Sequence, residues 1–365
     1  MRAARYFKSM DWWLTAAVAA LLAIGTGFIY SASFRLTHSS GVDYMQRQVI
    51  WLAIGLGLYL VFSGIDYRRL VAAAPAVYLV SILLLVFILA AGESRFGARR
   101  WIQLGPFTLQ PSEFAKPALV LILAWHFSSK YVYSARLGYF FAPLVLAAVP
   151  ALLILKQPDL GTALVLVPLV AGMALVARVR IAFLAGAAIL AAAAAPAGWM
   201  TLKEYQKERV RVFLDPGLDP YGSGYTVIQS KIAIGSGRLT GKGWLSGTQN
   251  MLNFLPERQT DFIFAVLAEE WGFVGGAAVL MLYALAVFRL YRIATVSRDF
   301  MGTVLVSGFM VLFSTHVIVN VGMTMGLLPA TGLPLPLLSY GGSVTAATMA
   351  MLGICQSVYI HRYYY

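Results

Sequence analysis

The stretch Asn253-Phe-Leu-Pro-Glu-Arg-Gln-Thr-Asp261 closes a long polar segment and runs straight into Phe262-Ile263-Phe264, the start of an apolar run that continues to about residue 288. That junction places a carboxylate, Asp261, at a membrane mouth. Poor hydration there either raises its pKa or demands a matching cation. Both outcomes suit a general base. Thr260 and Asp261 are also good helix-capping residues, favoured by the helix dipole, so an ordinary N-cap is the competing reading of the same position.

Working outward, the 365 residues are 60% hydrophobic and 12% charged, with mean hydropathy +0.75. Soluble proteins carry about 25% charged residues. The chain is therefore expected to be an all-α integral membrane protein, folded as one polytopic domain over residues 1–365. Apolar runs lie near residues 12–31, 48–64, 71–91, 113–128, 139–155, 161–177, 181–199, 262–288, 300–325 and 338–360. These predict about ten spanning helices, with a long loop of residues 201–260 between the seventh and eighth. The first run, preceded by Arg2, Arg5 and Lys8 without a small-residue cleavage motif, is expected to be an anchor rather than a removable signal.

Of the net charge of +13, most sits in short connections rather than in one basic tract, which speaks for membrane topology and against nucleic acid. Arg68, Arg69, Lys130, Arg136, Arg178, Arg180, Arg289, Arg292, Arg298 and Arg362 fall on one side with the N-terminal cations. Both termini are thus expected in the cytoplasm and the 201–260 loop outside, with Arg95, Arg99 and Arg100 as the main exceptions. Cys355 stands alone in an apolar run, which excludes an intrachain disulfide and a multi-cysteine metal site.

Several polar groups exceed what topology needs. Glu113 and Lys116 are one helical turn apart and can pair, either as a structural clasp or as part of a charged cavity. Asp159, between Pro158 and Gly161, reads as a site acid or a helix cap. Lys203, Lys207, Arg209, Arg211, Lys231, Arg238 and Lys242 lie among glycines, a composition suited to a diphosphate or to anionic lipid headgroups. Residues 320–343 are uncharged and crowded with Pro and Gly, so continuous helix is impossible and a cavity wall is expected. His316 and Asn320, a turn apart before it, are expected to hydrogen-bond between helices rather than bind a metal.

Taken together, Gln110-Pro-Ser-Glu-Phe-Ala-Lys116, Gln157-Pro-Asp-Leu-Gly-Thr162, Asn253-Phe-Leu-Pro-Glu257, Thr260-Asp-Phe-Ile-Phe264, Glu269-Glu270 and Leu335-Pro-Leu-Leu-Ser-Tyr-Gly-Gly-Ser343 resemble the SEDS (shape, elongation, division and sporulation) family over essentially the whole chain. Val321-Gly322-Met323 and Gly332-Leu-Pro-Leu-Pro336 are more similar to its elongation branch than to its division branch. Arg258-Gln259 departs from relatives that carry a small residue and His, so no role for that His transfers here.

The resemblance implies a peptidoglycan glycosyltransferase that polymerises lipid II, the undecaprenyl-diphosphate-linked disaccharide-peptide, at the outer face of the bacterial cytoplasmic membrane during elongation and shape maintenance. It implies Asp261 as catalytic base. Glu113, Lys116, Arg100, Asp159, Arg209, Arg211, Lys231, Glu257, Ser339 and Tyr340 are then candidates for substrate or cavity contact. A divalent cation, Mg2+ or Mn2+, is a candidate aid to the leaving diphosphate, and a class B penicillin-binding protein transpeptidase is the implied partner, beside membrane lipids. The competing functions are a lipid II flippase and a noncatalytic scaffold of the wall machinery. A flippase needs polar groups reaching inward from the cytoplasmic side, whereas the unusual acids here gather toward the expected outer face.

Overall fold

The computed structural model describes residues 9–40, 44–91, 93–95, 98–104, 107–129, 137–201, 204–219 and 222–363. Arg2, Arg5, Lys8, Lys130, Arg136 and Lys203 of the topology and loop readings lie outside the described residues.

Helices occupy all ten expected positions: α1 (Trp12–Ser40), α2 (Tyr44–Gly64), α4 (Ala74–Ala91), α5 (Pro111–Ser129), α6 (Leu137–Lys156), α7 (Leu160–Val176), α8 (Ile181–Thr201), α12 (Ile263–Thr295), α13 (Phe300–Thr324) and α14 (Gly342–Ile360). Six of these, α1, α2, α6, α12, α13 and α14, are long and apolar enough to cross a membrane. The apolar stretches of α4, α7 and α8 are shorter, and α5 carries Glu113 and Lys116 in its first turns. Short α3 (Tyr67–Ala72) joins α2 to α4, its first turn capped by the Asp66 side chain.

Two features add to the expected architecture. Within the mostly helical chain, β1 (Glu93–Arg95), β2 (Ala98–Leu104) and β3 (Phe107–Leu109) form a small antiparallel sheet in the order β1-β2-β3, with Ile102 opposite Leu109 and Leu104 opposite Phe107. The 201–260 excursion is not a plain loop. It folds into α9 (Glu204–Leu214), a 3₁₀ turn (Pro216–Leu218), α10 (Ser223–Ser236) and α11 (Thr248–Met251).

This excursion is clamped onto a kink in α12. Gly272 adopts φ 65° and ψ −162° there, open to glycine but costly for a residue with Cβ. The broken ladder frees backbone groups that the 238–243 segment takes up: Lys242 N–H donates to Glu269 O, Gly243 N–H to Glu270 O, Phe273 N–H to Arg238 O and Val274 N–H to Leu239 O, at 2.8–3.0 Å. The Glu269 side chain reinforces this, accepting from Lys242 Nζ (2.7 Å), Gln249 N (3.0 Å) and Thr248 Oγ1 (3.1 Å).

Helix α14 is almost wholly enclosed and packs most extensively against α2, where Gly353 lies against the Tyr59 backbone. At one end of the bundle, Asp11 ahead of α1 pairs with Arg289 and exchanges hydrogen bonds with Gln356, while Asp299 accepts from Tyr67 and Arg68. The start of α1, the α2–α3 and α12–α13 connections and the end of α14 therefore share a face. Asp261 and Asp159 belong to the opposite end.

Candidate active site

Asp261 lies in the irregular turn just before α12. Its backbone N–H donates to Glu257 O (3.0 Å), and the turn is tied down on three sides: Arg258 Nε donates to Ala32 O of α1 (2.8 Å), Tyr340 N–H to Gln259 O (2.9 Å), and Asn320 Nδ2 of α13 to Asp261 O (2.9 Å). The same Asn320 amide reaches Leu333 O at 2.7 Å. It thereby joins the acid's turn to the broken segment between α13 and α14. The capping reading fails, because the residue at the N-cap of α12 is Phe262 and no side-chain cap bond is made.

The carboxyl faces the break. A Cβ built on Gly332 (φ +72°) would lie 3.3 Å from Asp261 Oδ2, so a side chain there would be strained and would crowd the acid. Half-buried by exposure, Asp261 is nevertheless densely surrounded. Burial first, then repulsion from Glu257, pushes its carboxyl up to about 7, against the Thr260 hydroxyl and the Arg209 charge, with Asp159 adding a smaller upward push. Glu257 itself is exposed and accepts from Thr260 Oγ1 at 3.3 Å.

Beside this acid runs a cationic cleft. Arg209, Lys231, Phe213, Val227, Gly326 and Pro329 are among its walls, between α9, α10 and the 326–330 stretch. Arg209 Nη1 sits 3.5 Å from Thr331 O, adjacent to Gly332, and Lys231 Nζ lies against Gly326. Asp159 lies beyond the cleft walls, at the start of α7. It caps α7 through Thr162 N–H (3.2 Å), accepts from Thr162 Oγ1 (2.9 Å) and Gln110 Nε2 (3.3 Å), and its neighbour Gly161 touches Thr331 O.

Glu113 and Lys116 meet at 2.8 Å with side chains only 4% and 3% exposed, which makes their pairing obligatory. Lys116 Nζ also lies 2.9 Å from His316 Nε2, 200 residues away. The pair and His316 line a small cavity with Pro336 of the broken segment.

Other expected site residues take different partners. Arg211 bonds Glu204 at 2.9 Å on the exposed side of α9. Arg100 Nε donates to Gln157 O (2.8 Å) and its Nη2 to Pro158 O, tying β2 to the α6–α7 junction. Ser339 exchanges hydrogen bonds with Leu335, its hydroxyl accepting from Leu335 N–H (2.8 Å), and buttresses the break. Tyr340 packs edge-on to Tyr44 and holds Gln259. Thr331 and Gly332 were not singled out as site residues by sequence reasoning, and the Pro/Gly crowding of 320–343 was the signal that located them.

Three comparisons place this geometry among known proteins. A family model described as cell cycle protein, covering FtsW, RodA and SpoVE, matches residues 12–364. The chain belongs to that family. It is 43% identical to the peptidoglycan glycosyltransferase MrdB of Escherichia coli K12 over 94% of this chain and 91% of that protein, and 34% identical to the peptidoglycan glycosyltransferase RodA of Treponema pallidum over 97% and 98%. A solved structure reported as the structural coordination of polymerization and crosslinking by a peptidoglycan synthase complex superposes with TM-score 0.84 at 36% identity, covering 98% of this chain and 99% of that one. The crystal structure of the rod-shape-determining protein RodA of Thermus thermophilus gives 0.72 at 33% identity, over 97% and 98%. With membership comes the activity: the chain is a multi-pass bacterial inner-membrane protein and a peptidoglycan glycosyltransferase of the RodA kind.

Proposed function

We propose that this glycosyltransferase polymerises lipid II at the outer mouth of its helical bundle, with Asp261 as general base. The observation that carries this reading is the Asp261 carboxyl facing Gly332, in a turn held by Asn320, with Arg209 and Lys231 in the adjoining cleft. The ionised carboxylate removes the proton from the acceptor sugar's 4-hydroxyl as that oxygen attacks the donor's anomeric carbon. The bond from that carbon to the diphosphate oxygen breaks, and the lipid diphosphate leaves with the electron pair. Arg209 and Lys231 offset the charge that builds on the diphosphate. A base titrating near 7 is matched to neutral pH.

The polyprenyl chain needs an apolar berth. A groove of about 390 Å³ between α6, α7 and α8, lined by Phe140, Leu144, Leu166, Val170, Leu184 and Ala187 among others, has the matching character. The Glu113–Lys116–His316 cluster is buried beside Pro336 of the break with its charges matched to each other, which favours a structural wall of an enzyme site over a flippase path. Among the described residues no group of three His, Cys, Asp or Glu is placed to hold a metal ion.

The deciding experiment is purified protein with labelled lipid II, glycan length read on a gel, and Asp261→Ala run beside it. Absence of polymer from the wild-type chain in bilayers and in its native complex rejects the reading.

The orientation with α9–α11 outside, and a class B penicillin-binding protein as crosslinking partner, belong to the same proposal. The likeness to a synthase complex that couples polymerization with crosslinking supports the partner. Leu239→Cys, on the exposed part of the excursion, should react with an impermeant maleimide from outside, and mild-detergent purification should recover a transpeptidase. Labelling only from the cytoplasm, or isolation of a fully active lone chain, counts against each in turn.

A further inference from the structure

A second pocket, mostly apolar with a few polar groups, lies on the α1 side of the Asp261 turn, where the mechanism above places nothing. It has about 60 Å³ of space, several times what one water needs, and is lined by Ser31, Phe34, Leu245, Asn250, Met251 and Arg258.

Arg258 is its unusual member. The residue is 3% exposed, yet its one hydrogen bond is from Nε to Ala32 O at 2.8 Å. Among the described residues no side chain forms an ion pair with it, and its terminal nitrogens make no hydrogen bond to the protein. A guanidinium so largely buried is poorly hydrated, and burial lowers its pKa, while its terminal nitrogens border the pocket. No acid lines the pocket among the described residues. Glu270 lies behind Ser31 and Asn250, its oxygens occupied by the Ser31 hydroxyl, Asn250 Nδ2 (3.4 Å) and Leu245 N–H (3.2 Å). Asn250 is fixed in turn by donating to Ser31 O at 3.1 Å. The pocket is thus preformed, with a two-pronged cation aimed into a space of carboxylate size.

We propose that Arg258 forms a carboxylate subsite that takes a carboxyl group of the stem peptide on lipid II, end-on through its two terminal nitrogens. The inference rests on lipid II being the substrate. It assigns the α1 side of the turn to the peptide and the 326–332 side to the diphosphate, so that the sugar between them is presented to Asp261. Because the subsite engages the same group in ground and transition states, its loss appears in KM rather than kcat.

The test compares native lipid II with lipid II whose stem carboxylates are converted to carboxamides, on wild-type enzyme and on Arg258→Gln. Hydrogen bonds to a charged group contribute roughly 1.5 to 3 kcal/mol, so amidation should raise the wild-type KM about 10- to 100-fold with kcat little changed. Arg258→Gln should show a similar KM rise on native lipid II and no further rise on the amidated form, while melting near wild type. An unchanged wild-type KM on the amidated substrate overturns the subsite without involving any variant. Equal losses in kcat and KM for Arg258→Gln on both substrates also overturn it, making Arg258 a prop for α1. If wild-type enzyme polymerises neither substrate, the lipid II reading falls, and the subsite with it.

Discussion

The side-chain amide of Asn320 donates to the backbone carbonyl of Asp261 at 2.9 Å and to that of Leu333 at 2.7 Å. One residue on α13 therefore sets the distance between the acid and the backbone break it faces. The arrangement holds Asp261 by its main chain and leaves the carboxyl turned toward Gly332, with the Thr260 hydroxyl beside it.

Asp261→Asn follows directly. Because Asp261 caps nothing, the isosteric amide should leave folding intact, while a general base typically contributes about 10²- to 10⁴-fold. Polymerisation should fall by that factor with an unchanged melting temperature. Near wild-type glycan synthesis would move the base to another acid of the mouth, Glu257 or Asp159.

The pH profile supplies an independent reading. A base acts deprotonated, so with the carboxyl raised to about 7 the rate should climb with pH below 7 and level off above it. Glu257 is the largest charge contribution to that upward shift. Glu257→Gln removes a nearby negative charge, eases ionisation of Asp261 and should slide the acidic limb to lower pH. A limb that stays in place would show that Glu257 does not govern the base.

For Glu113 and Lys116, removing one partner strands a charge at 3–4% exposure. The expected cost is about 3–5 kcal/mol for either Glu113→Gln or Lys116→Met, seen as a large drop in thermal stability. The exchanged pair, Glu113→Lys with Lys116→Glu, should recover part of it. A double variant no more stable than either single one would mean that the two groups act separately.

Arg209 and Arg211 separate a site cation from a surface one. Arg209→Ala and Lys231→Ala should each raise the KM for lipid II by about 10- to 100-fold, the worth of a charge-assisted contact. Arg211→Ala loses only an exposed pair with Glu204 and should stay within about twofold. Equal losses at Arg209 and Arg211 would remove the cleft from the diphosphate site.

Read alone, the chain established whatever depends on neighbours in sequence. Apolar runs of spanning length located the ten helical positions, Pro and Gly placed the break before α14, and Asp159 between Pro158 and Gly161 announced the cap of α7. Family motifs located the acids. Tertiary structure decided the rest. The three strands are short, β1 and β2 carry charges, and they form because β2 has a partner on each edge. Residues 201–260 hold helices that depend on the unpaired backbone at the Gly272 kink. Lys116 meets His316, Arg258 turns to α1, and Arg209 and Arg211 part company although two residues apart. Spacing along a helix or turn says which way a side chain leaves the backbone. Which distant oxygen or nitrogen waits there is settled only when packing brings the helices together, and at the mouth of this bundle that choice leaves Asp261 off the helix cap and facing Gly332.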